Sequence, residues 1–305
     1  MSVVNVIKRI IANPKDAKMI ILYRCPWLMK DDRKFIEFIW KKKMNYPLDL
    51  DHPKTFNEKL QWIKLYDHNP LYIKMVDKYE AKDYVASIIG DEYIIKTLGV
   101  WDSFDDIDFN ALPNQFVLKC THDSGGLVIC KDKSQLDMAN AKNKIEKSLK
   151  KDYYSRAREW PYKFVKRRII AEEYVEDSET RELRDYKFFC FDGEPKVLLI
   201  ATGRQSADGP FMDFFDMDFN HLDLRRGHPN APEKPEKPLH FELMTELARK
   251  LSKGIKEVRA DFYEANGHVY FGELTLFPAA GLSPFEPAKW DNILGDWINI
   301  PIHKD

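Results

Sequence analysis

Between Val258 and Thr275 apolar and polar residues alternate in two runs, Val258–Tyr263 and His268–Thr275, interrupted at Asn266 and Gly267. Period-two alternation on both sides of Asn-Gly predicts an antiparallel hairpin. Arg259 and Asp261 then share one face of the first strand, and Glu273 and Thr275 share one face of the second. Register decides whether those faces coincide. A two-residue turn pairs Asp261 with Gly272 and turns Glu273 to the other side, whereas a three-residue loop or a bulge sets Asp261 opposite Glu273. In the second case two carboxylates, a hydroxyl and a guanidinium form an oxygen-rich patch suited to Mg2+ carrying nucleotide phosphates. In the first, the hairpin is half exposed and its acids are solvated.

Other stretches alternate in the same way. Gln115–Cys120 reads as a strand with Val117, Lys119 and Thr121 on one side; a loop from His122 to Gly126 follows, then a strand over Leu127–Cys130. Glycines allow backbone N–H groups to approach an anion and a lysine supplies a point charge, so this segment reads as a phosphate cover or as a plain hairpin with a glycine turn. It contains neither a Walker loop nor a dinucleotide fingerprint. Arg167–Val175 is a strand ending in Glu172 and Glu173, Asp185–Ile200 a hairpin across Asp192-Gly193 carrying Lys187, and Phe211–Phe219 a further strand with Asp213, Asp216 and Asp218 close by.

Helical periodicity fills the remainder. Asp31–Lys43 has an apolar stripe of Phe35, Ile36, Phe38 and Ile39, and Thr55 with Glu58 has the spacing of a capping box opening Asn57–Tyr66. Lys74–Ile89 is predicted as one helix closed by Gly90, with Lys78 and Lys82 on one face; Asp137–Lys151 and His240–Lys253 follow. Residues 1–76 read as mostly helical. Their basic apolar runs, Val3–Ile11 and Lys18–Leu22, either pack on the body or lie on a membrane surface. The succession is an α+β protein.

Composition narrows the field. A chain of 305 residues with 44% hydrophobic and 13% aromatic content can bury a real core, and a net charge of −1 provides no footprint for nucleic acid. Cys25, Cys120, Cys130 and Cys190 lack CxxC spacing, so neither zinc nor a disulfide framework is indicated and a reduced, cytoplasmic setting fits. No apolar run reaches the roughly 18 residues of a membrane span, and the start lacks a signal-peptide cleavage pattern.

Taken in order, VDKYEAK (76–82), FVLKCTHDSGG (116–126), IIAEEYV (169–175), DYKFFCFDGEP (185–195) and VRADFYEANGHVYFGELTLFP (258–278) resemble the ATP-grasp superfamily, and within it the TupA-like branch of teichuronopeptide biosynthesis. The resemblance runs from about Met75 to about Trp297. It implies two α+β lobes clasping a nucleotide, with a helical extension over 1–76, a lid lobe over 77–170 and a metal-bearing lobe over 171–305. It also implies ATP held by Lys78 and Lys119, with Ser124, Gly125 and Gly126 as the lid loop and Glu172, Glu173 and Val175 at the hinge. Asp261 and Glu273 match the magnesium ligands, and Arg259 matches the arginine beside the transferring phosphate. Thr275 stands where many relatives carry Asn, and Lys187 is a further phosphate candidate.

The activity so implied is ATP-dependent carboxylate–amine ligation through an acylphosphate, joining an amine to a uronic acid of a surface polysaccharide. Tyr153, Tyr154, Arg156, Arg158, Trp160 and Tyr162 are a candidate saccharide surface. Competing expectations are a saccharide kinase on the same site, a glycosyltransferase using Asp216 and Asp218 as a DxD metal motif, and a non-enzymatic scaffold in a capsule assembly complex, peripheral to the membrane.

Overall fold

The computed structural model describes residues 17–25, 28–44, 46–179, 183–203 and 209–301. The run Val3–Ile11 lies outside the described residues. The chain folds around two antiparallel sheets. Four strands, β1 (Thr97–Trp101), β2 (Phe116–Cys120), β3 (Leu127–Cys130) and β4 (Ile169–Glu173), lie in the order β1-β4-β2-β3. Five more, β5 (Arg184–Phe191), β6 (Glu194–Thr202), β7 (Phe211–Phe215), β8 (Glu257–Ala265) and β9 (His268–Thr275), lie in the order β7-β6-β5-β8-β9.

Alternation along each strand sets the layers. In β2 the side chains of Phe116, Leu118 and Cys120 are buried and pack with Ala141 and Ile145 of helix Met138–Leu149, leaving Val117 and Lys119 on the opposite face. In the larger sheet Phe188, Cys190, Leu198, Phe262 and their neighbours pack with Met244, Leu247, Ala248 and Leu251 of helix Phe241–Ser252. Its other face carries Lys187, Arg259, Asp261 and Glu273, because residues directly opposite in an antiparallel pair share a side.

Turn chemistry follows the sequence closely. Asp192 (φ 48°) and Gly193 (φ 89°) close β5–β6, and Asn266 (φ 52°) and Gly267 (φ 72°) close β8–β9; two successive positive φ values match the right-handed twist of the strands. The capping box of Thr55 and Glu58 is present at the start of helix Phe56–Tyr66. That helix is no separate extension: Phe56 meets Phe189, Phe191 and Phe285 at ring separations of 6.4, 6.1 and 5.6 Å and joins the core of the larger sheet.

Three readings change on the structure. The single helix over Lys74–Ile89 is two, Leu71–Val76 and Glu80–Ile89. Asp77 breaks it, its carboxylate accepting from the N–H groups of Tyr79 (2.9 Å) and Glu80 (3.3 Å). In helix Asp32–Lys43 the buried stripe is Phe35, Ile36, Ile39 and Trp40, with Phe38 only half buried. The boundary expected at 170/171 falls inside β4, which pairs wholly within the four-stranded sheet.

Candidate active site

The β8–β9 register is settled by a device that alternation alone does not reveal. The hairpin closes on the two-residue turn, with Ala265 opposite His268, yet Asp261 lies opposite Glu273. Gly272 is the surplus residue: the register shifts between Asp261 and Phe262, whose partner is Phe271. A bulge there resets the period, so Glu273 returns to the face of Asp261. Glycine suits the position, since a Cβ on it would lie 3.0 Å from the Asp261 carbonyl and 3.1 Å from the Tyr263 ring.

Arg259 then organises the patch. Its Nε and Nη2 donate to the two carboxylate oxygens of Asp261, both at 2.7 Å, and Nη2 also reaches the Thr275 hydroxyl at 3.0 Å and Glu273 Oε1 at 3.3 Å. Lys187, facing Asp261 from β5, donates to it at 2.6 Å and to Asp185 at 3.1 Å. Asp261 is fully buried, while the Glu273 side chain keeps 41% of its surface open. Burial would raise the Glu273 pKa. The cations Lys78, Arg259, Lys187 and Lys119 outweigh that and hold it at about 2, so the group is ionised at neutral pH.

Across the cleft three lysines converge, one from the four-stranded sheet and two from the helical segment before it. Lys119 on β2 and Lys82 on helix Glu80–Ile89 both pair with Glu172 on β4, Lys82 at 2.6 Å. Burial pushes the Lys82 ammonium down and the two lysine charges pull the Glu172 carboxyl down despite its burial. Lys78 sits in the break between the helices. Its N–H donates to the Thr121 carbonyl at 3.0 Å, its Nζ donates to the Asp123 carbonyl at 2.8 Å, and Nζ stands 3.9 Å from Glu273. Lys78, Lys82, Lys119, Glu172 and Glu273 thus line one cleft between the sheets, together with Tyr162.

The loop from Thr121 to Gly126 is anchored at both ends. Asp123 accepts from the Ser148 hydroxyl and from Lys151 Nζ at 2.9 Å, and a Cβ on Gly126 would collide with Ser148. Only Ser124 and Gly125 form an exposed tip. Glu173 points away from Glu172, pairs with Lys96 at 3.7 Å, and its N–H bonds the Lys96 carbonyl at 3.0 Å; Val175 lies half buried beyond β4. The aromatic stretch divides: Tyr162 reaches the cleft, whereas Tyr154 and Arg158 hold Asp32 of the N-terminal helices. Asp216 accepts from the N–H groups of Asp218 and Asn220, which accounts for the DxD spacing as turn chemistry. The sequence puts Lys82 on one face with Lys78 without marking it for the site, and nothing in it marks Asp185.

Oxygens of Asp261, Glu273 and Thr275 converge on one point, 2.7, 3.3 and 3.0 Å away, which Arg259 Nη2 fills; a divalent cation held by these donors requires that guanidinium to move. Among the described residues no group of three or more His, Cys, Asp or Glu side chains is placed to hold a metal ion.

Two antiparallel sheets in an α+β fold thus meet at a cleft lined by lysines on one side and an acid–guanidinium patch on the other. The chain belongs to the TupA-like ATP-grasp family, whose model matches residues 58–299. Solved structures that it resembles include D-alanine–D-alanine ligase from Bacillus anthracis complexed with ATP, at 14% identity over 67% of this chain and 54% of that one, TM-score 0.40. The D-alanine–D-alanine ligase of Helicobacter pylori is another, at 14% identity over 80% and 69%, TM-score 0.42. A third is N5-carboxyaminoimidazole ribonucleotide synthetase from Thermus thermophilus, at 10% identity over 72% and 51%, TM-score 0.39. The chain therefore spans about half the length of the first and third. No curated protein matches it. Among the described residues no helix is long and apolar enough to cross a membrane.

Proposed function

We propose that this protein is an ATP-dependent carboxylate–amine ligase that works through an acylphosphate, releasing ADP and phosphate. The observation that carries the reading is the bulge at Gly272, which sets Asp261 opposite Glu273 with Arg259 between them, across the cleft from Lys78, Lys82 and Lys119. Asp261, Glu273 and Thr275 would hold Mg2+, which when bound neutralises phosphate charge and orients the phosphoryl group.

The chain's own groups do the rest. Lys119 and Lys82 face the cleft with Glu172 between them, and an incoming triphosphate offers both ammoniums a more highly charged partner. Arg259 is placed beside the reacting phosphate, where its guanidinium balances negative charge that spreads over the moving oxygens as a substrate carboxylate attacks. Lys187 remains paired with Asp261 while Arg259 turns to the phosphate. The loop tip at Ser124 and Gly125 covers the cleft, because water would hydrolyse an acylphosphate before the amine displaces phosphate.

The substrate reading is a uronic-acid carboxylate of a surface or capsular polysaccharide, or its precursor, joined to an amino acid or other amine at the cytoplasmic face of the membrane. We assign the lid lobe to β1–β4 with helix Met138–Leu149, and the metal-bearing lobe to the larger sheet with the helices packed on it, Glu80–Ile89 among them. The test is calorimetry with ATP-Mg2+ against UDP-sugars, followed by ADP release across a panel of uronic acids and amines. ATP binding with amine-dependent phosphate release supports the ligase. A stable phospho-sugar made without amine replaces it with a kinase, and binding of UDP-sugar in place of ATP discards the nucleotide assignment.

A further inference from the structure

Arg226 lies in the irregular chain between β7 and helix Phe241–Ser252 and is 7% exposed. Its Nη2 donates to the side-chain oxygen of Asn57 at 3.0 Å and to the Pro278 carbonyl at 3.1 Å, both neutral acceptors. Its guanidinium stacks 4.4 Å from the Phe285 ring. Among the described residues it forms no ion pair, and its Nε has no hydrogen-bond partner. Two acids stand near it without a direct ion pair: Asp291, which accepts at 2.9 Å from the Asn57 amide whose oxygen Arg226 engages, and Glu257, on the same face of β8 as Arg259, buried with neither oxygen partnered. A buried cation without a direct ion pair is costly, and a neighbouring cavity that admits an anion relieves the cost.

Such a cavity is present. Arg226 and Arg259 line it together with His228 and Ser283, over a floor that includes Phe189 and Phe214. Arg259 is engaged by Asp261 and Glu273, on the side of the nucleotide cleft; Arg226 has no comparable partner. The wall is fixed in a costly conformation, with Ala279 and Ala280 at φ 49° and 56°. Its carbonyls are pinned from helix Phe56–Tyr66: Lys64 Nζ donates to the Ala280 carbonyl at 2.7 Å, and Gln61 donates to that carbonyl at 3.1 Å and to Gly281 at 2.8 Å. Burial lowers the Arg226 pKa to about 10 against the charges of Asp291 and Glu257, so it remains a cation at neutral pH.

We propose that this cavity is an anion subsite in which Arg226 anchors a carboxylate other than the one phosphorylated, so that the ligand is a small acid with a further carboxylate. That the anchored group is a spectator rests on the ligase reading, in which the reacting carboxylate loses its charge on becoming an acyl group. A lasting buried cation calls for a lasting anion. The spectator belongs either to the acid substrate or to an amino acid serving as the amine.

The test is calorimetry on the full chain with glutarate, L-glutamate and acetate, each with and without a non-hydrolysable ATP analogue, on the wild type and Arg226→Gln. Glutarate or L-glutamate should bind at least about tenfold more tightly than acetate, and Arg226→Gln should remove that preference while ATP affinity is unchanged. A preference for glutarate assigns the spectator to the acid, and one for L-glutamate to the amine. Ser283→Tyr narrows the cavity with Arg226 in place and should weaken the same ligands, which covers misfolding of the first variant. Equal binding by folded Arg226→Gln and wild type, or no binding of any probe by wild type, overturns the proposal. Acid binding that depends on Arg226 in a protein that does not bind ATP keeps the subsite and removes the ligase reading.

Discussion

Two buried carboxylates stand on opposite sides of the cleft, each held by two cations, and they are built differently. Asp261 is clamped within one sheet: Arg259 is two residues away on the same strand and Lys187 is directly opposite on β5. Glu172 is clamped between elements, with Lys119 on the adjacent strand and Lys82 on helix Glu80–Ile89. The first can rearrange only by turning side chains. The second is a joint between helix and sheet, and loosening it releases two lysines into the cleft. A rigid acid suits a site that must fix a metal, and a two-element joint suits cations that must exchange a carboxylate for phosphate.

Substitutions break the comparison in graded ways. The largest effect expected is on turnover: Asp261→Asn should lower ADP release by at least about a thousandfold, since the acid and the alignment of Arg259 are both lost. Its circular dichroism should remain that of the wild type, because the amide keeps the shape. Next, Glu172→Gln leaves Lys82 and Lys119 facing each other without a counter-ion. Urea denaturation should show a loss of about 3–5 kcal/mol, the usual result of removing one partner of a buried pair. Millimolar ATP should recover part of that loss by supplying phosphate in its place.

A smaller cost is expected at the bulge. Gly272→Ala forces a Cβ against the Asp261 carbonyl and the Tyr263 ring. It should destabilise by about 1–3 kcal/mol, as overpacking does, and a larger proportional fall in activity than in stability would show that the register matters to the chemistry. The smallest effect is a change of slope. Glu273 and Glu172 titrate below the ordinary glutamate value of 4.5, Glu273 near 2. Each therefore contributes stability above pH 4.5 that is lost as pH falls through its folded-state value. Glu273→Gln should flatten the acid limb of a Tm-against-pH curve between 4.5 and about 2 and leave the neutral plateau nearly level.

What could be read from the sequence were features with a local cause. Asn266-Gly267 and Asp192-Gly193 demand positive φ, so both hairpins were legible, as was the box of Thr55 and Glu58. The acids and cations of β8 and β9 were legible as residue types. What joins them was not: Gly272 reads as an ordinary strand glycine until its partner strand is known, and only the pairing shows it to be surplus. The break at Asp77 was hidden because its cap competes with a helical pattern that continues through it. β1 (TLGVW) has a bulge at its start and no clear alternation. Arg226 lies in a proline-punctuated segment without period, and what isolates it, burial without a direct ion pair, exists only in three dimensions.

The most direct test is calorimetric titration of ATP-Mg2+ into the wild type and the Asp261→Asn and Lys119→Met variants, with ATP lacking metal as the reference. The account predicts that metal strengthens binding to the wild type, that Asp261→Asn abolishes the metal dependence alone, and that Lys119→Met weakens ATP with or without metal. Binding that ignores both metal and Asp261 would contradict it.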